Sequence, residues 1–369
     1  MKRVNNKIVA IILGAVLLTS CHKDLEKLPP NTVTSADVYK SEAGYKQVLA
    51  KVYGSMALTG NIGPNGAGDV AGIDEGNSDF TRLFWKMQEI TTDEAIIAWD
   101  GPLDVGLQDL QLHRWQSSNP LTKGLYYRCV YIITLCNEFI RESSAAKLSD
   151  RGISGEAANR IAGMQAEAKF MRAFQYWVLM DLFGNPAFVT EEDGIGTFRP
   201  KQILRPALFK YIEEQLIAVE TALPNPRSNE YGRVDKAAVW SLLARLYLNA
   251  EKVYGVAPKY NEAATNAKKV IDAGYSLLSN YRWLMLADNN VGNNEFIWTL
   301  NYDGIRSKNY GATTFLVNAS VGGDMDQTFS GLLKWAGIRA KQNLPALFPD
   351  VTGVADKRAQ FVVGKSAND

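Results

Sequence analysis

The chain has 369 residues, of which 46% are apolar and 10% aromatic, so it can bury a large core and is not an intrinsically disordered polymer. Its formal charge of +1 comes without a basic block or stripe that could neutralise a row of phosphates, which argues against a nucleic-acid partner.

At the N-terminus Lys2, Arg3 and Lys7 precede the apolar run Ile8–Leu18. That run is too short to span a bilayer and matches a signal-peptide core. The following "LTSC" (Leu18–Cys21) resembles a bacterial lipobox, in which the cysteine becomes the lipidated first residue of the mature chain. Residues 1–20 are therefore expected to be a lipoprotein signal peptide. Their removal takes away three basic and no acidic groups, lowering the charge from +1 to −2. No later stretch approaches 18 uninterrupted apolar residues, so lipid on Cys21 is the expected membrane attachment. Residues 21–33 are polar, carry Pro29 and Pro30, and read as a tether to one domain over 34–369.

"TSADVYK" reads as a capped helix start, and Tyr45, Val48, Leu49, Val52, Tyr53 and Met56 then recur at helical spacing. Residues 59–80 are glycine-rich and aperiodic and read as a long loop, of a length that in compact proteins is functional or disordered. "DEAIIAWDG" follows, with Trp99 at the lip of a turn rather than mid-element. Helices are predicted over 121–142, 156–182, 204–222, 235–251 and 258–273. In the second, Ala166, Phe170, Ala173, Phe174, Trp177 and Val178 form one stripe ended by "LFGNP". The last two, with Val239, Leu242, Leu243, Leu246 and Tyr247 on one and Ala263, Ala267, Val270 and Ile271 on the other, look like a tetratricopeptide hairpin. Beyond residue 280, "NEFIWTLNY" is predicted as a strand and "SGLLKWAGIRAK" as a short helix. The chain ends without a capping helix, and a truncated C-terminus is expected. Cys129 and Cys136 sit two helical turns apart, about 10.5 Å, too far for a disulfide, and read as core residues.

Several segments together resemble the SusD/RagB family of cell-surface glycan-binding lipoproteins. They are "EAKFMRAFQYWVLMDLFGNPAF" (167–188), "GRVDKAAVWSLLARLYLNA" (232–250) and the lipobox with "CHKDLE" after it. "DEGNSDFTR", "TTDEAIIAW", "NYGATTFLV" and "KWAGIRA" are similar to the family's starch-binding founding member. The resemblance implies a mainly α, tetratricopeptide-like helical scaffold whose irregular loops and few short strands form the ligand face. It also implies an aromatic arc that maps onto Trp99, Tyr310 and Trp335, flanked by Arg82 and Asp74. Two departures stand out: "WDGPLD" replaces a loop that carries an asparagine in the starch binder, and Ile97 replaces an aromatic. The implied function is non-catalytic capture of starch or maltooligosaccharide at the outer-membrane surface and its delivery to a TonB-dependent, SusC-like transporter.

The residue types suit that chemistry. A sugar has a face of C–H groups, which flat aromatics cover, and a rim of hydroxyls, which a guanidinium or carboxylate bonds. Trp85, Trp115, Trp177, Trp240 and Trp298 are read as structural. No metal or cofactor is expected, since His22 and His113 lack partners at ligand spacing and "LADNNVGNNE" departs from the EF-hand pattern. Two rivals stand beside the glycan binder. One is a glycoside hydrolase using a pair among Asp74/Glu75, Asp93/Glu94 and Glu191/Glu192. The other is a helical-repeat lipoprotein that binds only protein.

Overall fold

The structure, a computed structural model, describes residues 34–362 apart from 65, 100–103, 197, 323–324 and 326–332. Cys21, the signal peptide and the tether lie outside the described residues. The first helix, α1 (Ser35–Val38), is held by a reciprocal capping box between Thr34 and Asp37. It belongs to a small unit ending at Lys40, whereas the main compact unit begins at Ser41.

That main unit is built from helices. Ser41 caps α2 (Glu42–Ala57), which buries Tyr45, Leu49, Val52 and Met56, four of the six positions that the helical period selected, with Val48 and Tyr53 half-buried. Asp79 caps α3 (Phe80–Glu89). After α4 (Leu107–Gln111), Asn119 and Pro120 start α5 (Pro120–Glu142), where a proline costs no hydrogen bond. Next come α6 (Ala145–Asp150) and α7 (Gly155–Phe183), the longest helix. The series continues with α8 (Arg205–Glu220), α9 (Lys236–Leu248), α10 (Tyr260–Asp272) and α11 (Ala312–Ala319). Two short strands, β1 (Ala95–Ile97) and β2 (Ile338–Ala340), pair antiparallel with Ile97 opposite Ile338.

The core lies where α7 packs against α2, α5 and α8. Leu125, Cys129, Ile132 and Phe139 of α5, and Ala168, Met171, Tyr176 and Val178 of α7, are all fully buried. Burial contributes about 2 kcal/mol for each large apolar side chain. Cys129 and Cys136, the described cysteines, are free and buried. Between Ala166 and Met180, α7 is buried on nearly every side, so the single stripe read from sequence understates it. A helix enclosed all round reads as continuously apolar, and its polar members then need internal partners. Glu167 has them: Arg233 Nη2 donates at 2.5 Å, Arg233 Nε at 3.1 Å and the Tyr53 hydroxyl at 2.6 Å. Arg172 likewise donates to Asn137 Oδ1 at 2.7 Å, Gln215 Oε1 at 3.0 Å and the Glu191 carboxylate.

Five sequence expectations change. No element was expected over 80–89, where α3 forms once Asp79 caps it. "NEFIWTLNY" is not a strand: no described strand pairs with it, and Trp298 instead wedges edge-on against Phe170 and Phe174. The predicted helix at 330–341 is replaced, where described, by an irregular segment and β2. There Lys334 (φ 50°) and Ala336 (φ 52°) are left-handed, a conformation that interrupts an α-helix. Trp335, Ala336 and Gly337 donate their amides to Asn318, Val321 and Ala319, satisfying carbonyls at and just beyond the end of α11. In α10, Ala263 and Asn266 are buried while Ala267 and Ile271 face outward, a rotation of the expected stripe. Trp115 is 44% exposed, meeting the His113 ring, so it does not plug a core.

Candidate functional site

The glycine-rich segment 59–80 is ordered by a cation from beneath. Arg128 of α5 is fully buried, donating from Nε to Ser78 O at 2.9 Å and from Nη2 to Thr59 O and Ser78 Oγ, both at 3.1 Å. Asp79 then joins two helix starts. Its carboxylate accepts from the Arg82 amide at 2.7 Å in α3 and from the Ala312 amide at 3.0 Å in α11, with Asn309 Nδ2 on the second oxygen at 3.0 Å. Gly311 must be glycine here, because a Cβ would lie 2.1 Å from Asp79 Cβ. Burial pushes the Asp79 carboxyl up despite these donors.

This arrangement brings Tyr310 to the α3 surface. Arg82 Nη1 donates to Tyr310 O at 2.9 Å, and Gly76 lies so close that its Cβ would meet Tyr310 Cβ at 2.7 Å. Trp99 and Trp335 come together through the β1–β2 ladder, which Ala98 extends by donating to Gly337 O at 2.8 Å. The Trp99 indole Nε1 donates to Trp335 O at 3.0 Å. The ring centroids of Trp99 and Trp335 are 6.3 Å apart at 57°, and those of Trp335 and Tyr310 6.2 Å apart at 52°. Trp335 is the middle ring, and all three are half-buried. The rings form a bent row that can cover apolar faces turned relative to one another.

Asp74 is exposed on the turn leading to Gly76, its Oδ1 accepting from the Asn77 amide at 3.0 Å and from Asn77 Nδ2 at 3.3 Å. Arg82 is placed differently from an open rim donor. It is 6% exposed, its guanidinium lies 4.5 Å from the Phe315 ring centroid, and its Nε finds no hydrogen-bond partner. Burial lowers the Arg82 pKa, while Asp104, Asp74, Asp79 and Glu75 oppose that shift. Ile97 is buried, its backbone bonded both ways by the Gln111 amide. Residues 100–103 of "WDGPLD" lie outside the described residues.

The sequence reading missed Phe315, Lys86, Asn77 and Asp104. Phe315 lies beneath the row, its centroid 6.1 Å from that of Trp99. Lys86 is fully buried one helical turn after Arg82, and burial drives its ammonium well below the ordinary lysine range. Asp104 is half-buried, and burial raises its carboxyl even though Lys86 and Arg82 act against the rise. The Arg82/Lys86 spacing is visible in the sequence, but only as a helix face, and α3 itself was unread.

Among the described residues, two of the other candidate carboxylates have structural partners. Asp93 accepts from Asn343 and Glu191 pairs with Arg172. The asparagines of 289–294 donate mainly to carbonyls of their own or adjoining turns, and among the described residues no three His, Cys, Asp or Glu side chains cluster as a metal site. A cavity of about 270 Å³ between α2 and the segments 230–233 and 299–301 contains none of the three rings. No described helix is long and apolar enough to cross a membrane.

No family model matches the chain. Against curated proteins it is 35% identical over 315 residues to the starch-binding protein SusD of Bacteroides thetaiotaomicron, covering 84% of this chain and 53% of that protein. Among solved structures it is similar to surface glycan-binding protein A from Bacteroides fluxus, with TM-score 0.64, 19% identity and coverage of 87% and 63% of the two chains. A laminarin-binding SusD-like protein matches at TM-score 0.54 and 23% identity, over 70% and 51%. The chain spans about half the length of the curated relatives it matches. Over that half, its sequence and its mainly α scaffold are those of a SusD-like protein.

Proposed function

We propose that the protein is a non-catalytic glycan-binding lipoprotein of the outer-membrane surface. It captures starch-type α-glucan oligosaccharides and delivers them to a TonB-dependent, SusC-like transporter. The observation that carries this reading is the bent row Trp99–Trp335–Tyr310, three half-buried rings from distant segments with more than 50° between neighbours. A coiled glucose polymer turns successive apolar faces by steps that a flat platform would miss. Asp74 at the edge supplies an acceptor for hydroxyls, and Arg82 holds Tyr310 and Phe315 from below. The lipobox at Cys21 supports surface anchoring, and the name of the 35% identical relative supports starch.

A shallow platform buries modest area, so binding is weak and depends on the rings. In affinity electrophoresis, Trp99→Ala and Trp335→Ala should abolish retention on starch; retention equal to wild type overturns the site. Incubation with amylose should release no reducing ends.

A second reading, a SusD-like binder of another glycan, is favoured by the burial of Ile97, which leaves the row without a further aromatic from β1. Calorimetry with maltoheptaose, cellohexaose and laminarihexaose separates the two by linkage.

A further inference from the structure

Asp74 and the aromatic row lie on separate segments, yet one buried side chain touches the supports of both. Lys86 Nζ donates to Asn77 Oδ1 at 2.6 Å. With its Oδ1 held by Lys86, the Asn77 amide turns its Nδ2 toward Asp74. Asn77 then delivers both its backbone amide and Nδ2 to Asp74 Oδ1. The same ammonium lies 5.4 Å from the centroid of Phe315, the ring that carries Arg82 and meets the edges of Trp85 and Trp99.

We propose that Lys86 is the positioning residue of the glycan site, setting the Asp74 carboxylate through Asn77 and the tilt of Trp99 through Phe315. This rests on the α-glucan reading above. Burying an ammonium is costly, and one hydrogen bond to a neutral amide offsets only part of that cost. A fully buried lysine bonded to a neutral amide therefore contributes orientation more than stability. Lys86 itself touches no ligand; it acts through Asn77 and Phe315.

The test is a double-mutant cycle on the full chain with maltoheptaose, read by calorimetry, alongside thermal unfolding and near-ultraviolet circular dichroism. Lys86→Met leaves the buried Asn77 Oδ1 without its donor, so it should lower the unfolding midpoint while the chain stays folded, and it should weaken affinity about tenfold. In an Asp74→Ala background the same substitution should cost visibly less, because part of its effect runs through Asp74. Asn77→Asp, which pairs Lys86 but removes the Nδ2 donor, should show the same coupling if Lys86→Met fails to fold. Losses that simply add, or affinity equal to wild type, overturn the proposal. Should wild type bind no α-glucan, the function fails first. The tryptophan bands of unliganded Lys86→Met then decide the positioning role: altered bands support it and unchanged bands overturn it.

Discussion

Gly337→Ala tests whether the packing of Trp99 matters for binding. Gly337 is buried against the indole, and a Cβ built on it would lie 2.2 Å from Cε2, 2.4 Å from Cζ2 and 2.8 Å from Nε1. Carbon atoms pack at about 3.5 Å or more, so the ring has to withdraw by more than about 1 Å. Its surroundings resist: Nε1 is bonded to Trp335 O, and the rings of Phe315 and Trp335 flank it. Losing that hydrogen bond costs about 1 kcal/mol, and overpacking adds about 1–3 kcal/mol, for an expected destabilisation of about 2–4 kcal/mol. Tryptophan anchors at binding sites commonly carry about 2 kcal/mol or more, so a displaced ring should weaken maltoheptaose binding at least about tenfold. Urea unfolding followed by tryptophan fluorescence measures the first quantity, and calorimetry the second. Unchanged stability refutes the packing argument. Lowered stability with intact affinity refutes a binding role for Trp99.

Two further outcomes follow from the buried charges. Arg128→Met strips the donors from Ser78 O, Thr59 O and Ser78 Oγ, so it should cost about 3–5 kcal/mol and open segment 59–80 to proteolysis; a loss under about 1 kcal/mol in urea contradicts the account of that loop. Burial raises the Glu191 carboxyl, but the hydrogen bond and charge of Arg172 outweigh it and the net shift is downward. Its stabilisation is therefore present above the unfolded carboxyl value, about 4.3, and is lost as pH falls through the lower folded value. Glu191→Gln should lower the unfolding midpoint at pH 7, and the gap to wild type should close at acid pH; a gap that persists unchanged to low pH contradicts the ion pair.

The helical half of the fold was legible from local patterns. Tyr45, Leu49, Val52 and Met56 in α2, and Val239, Leu242, Leu243, Leu246 and Tyr247 in α9, recur at the helical period and are buried as that period requires. Asn119 with Pro120, and Phe183 before Gly184, mark ends that follow from side-chain and backbone chemistry within a turn. The Asp79 cap of α3 lies within one turn of Arg82 and α3 still went unread; what a short window cannot contain is that the same carboxylate also accepts from α11, more than 230 residues away. The segment from 333 to 340 misled because its carbonyl and amide partners come from α11 and β1 rather than from its own next turn.

The site divides in the same way. That Trp99, Tyr310 and Trp335 deserved scrutiny came from the sequence and its resemblance, as did the turn chemistry around Trp99. Whether they met could be decided only by the β1–β2 register and the Asp79 bridge, since a period of 3.6 or 2 describes one element and not which distant element lies beside it. Burial was equally invisible: Arg82 was expected to flank the arc and Lys86 went unread, and only the packing of α11 over α3 puts both against Phe315. Periodicity and capping are local free energies that a short window contains, whereas strand pairing and the enclosure of charge depend on which segments the whole chain folds together.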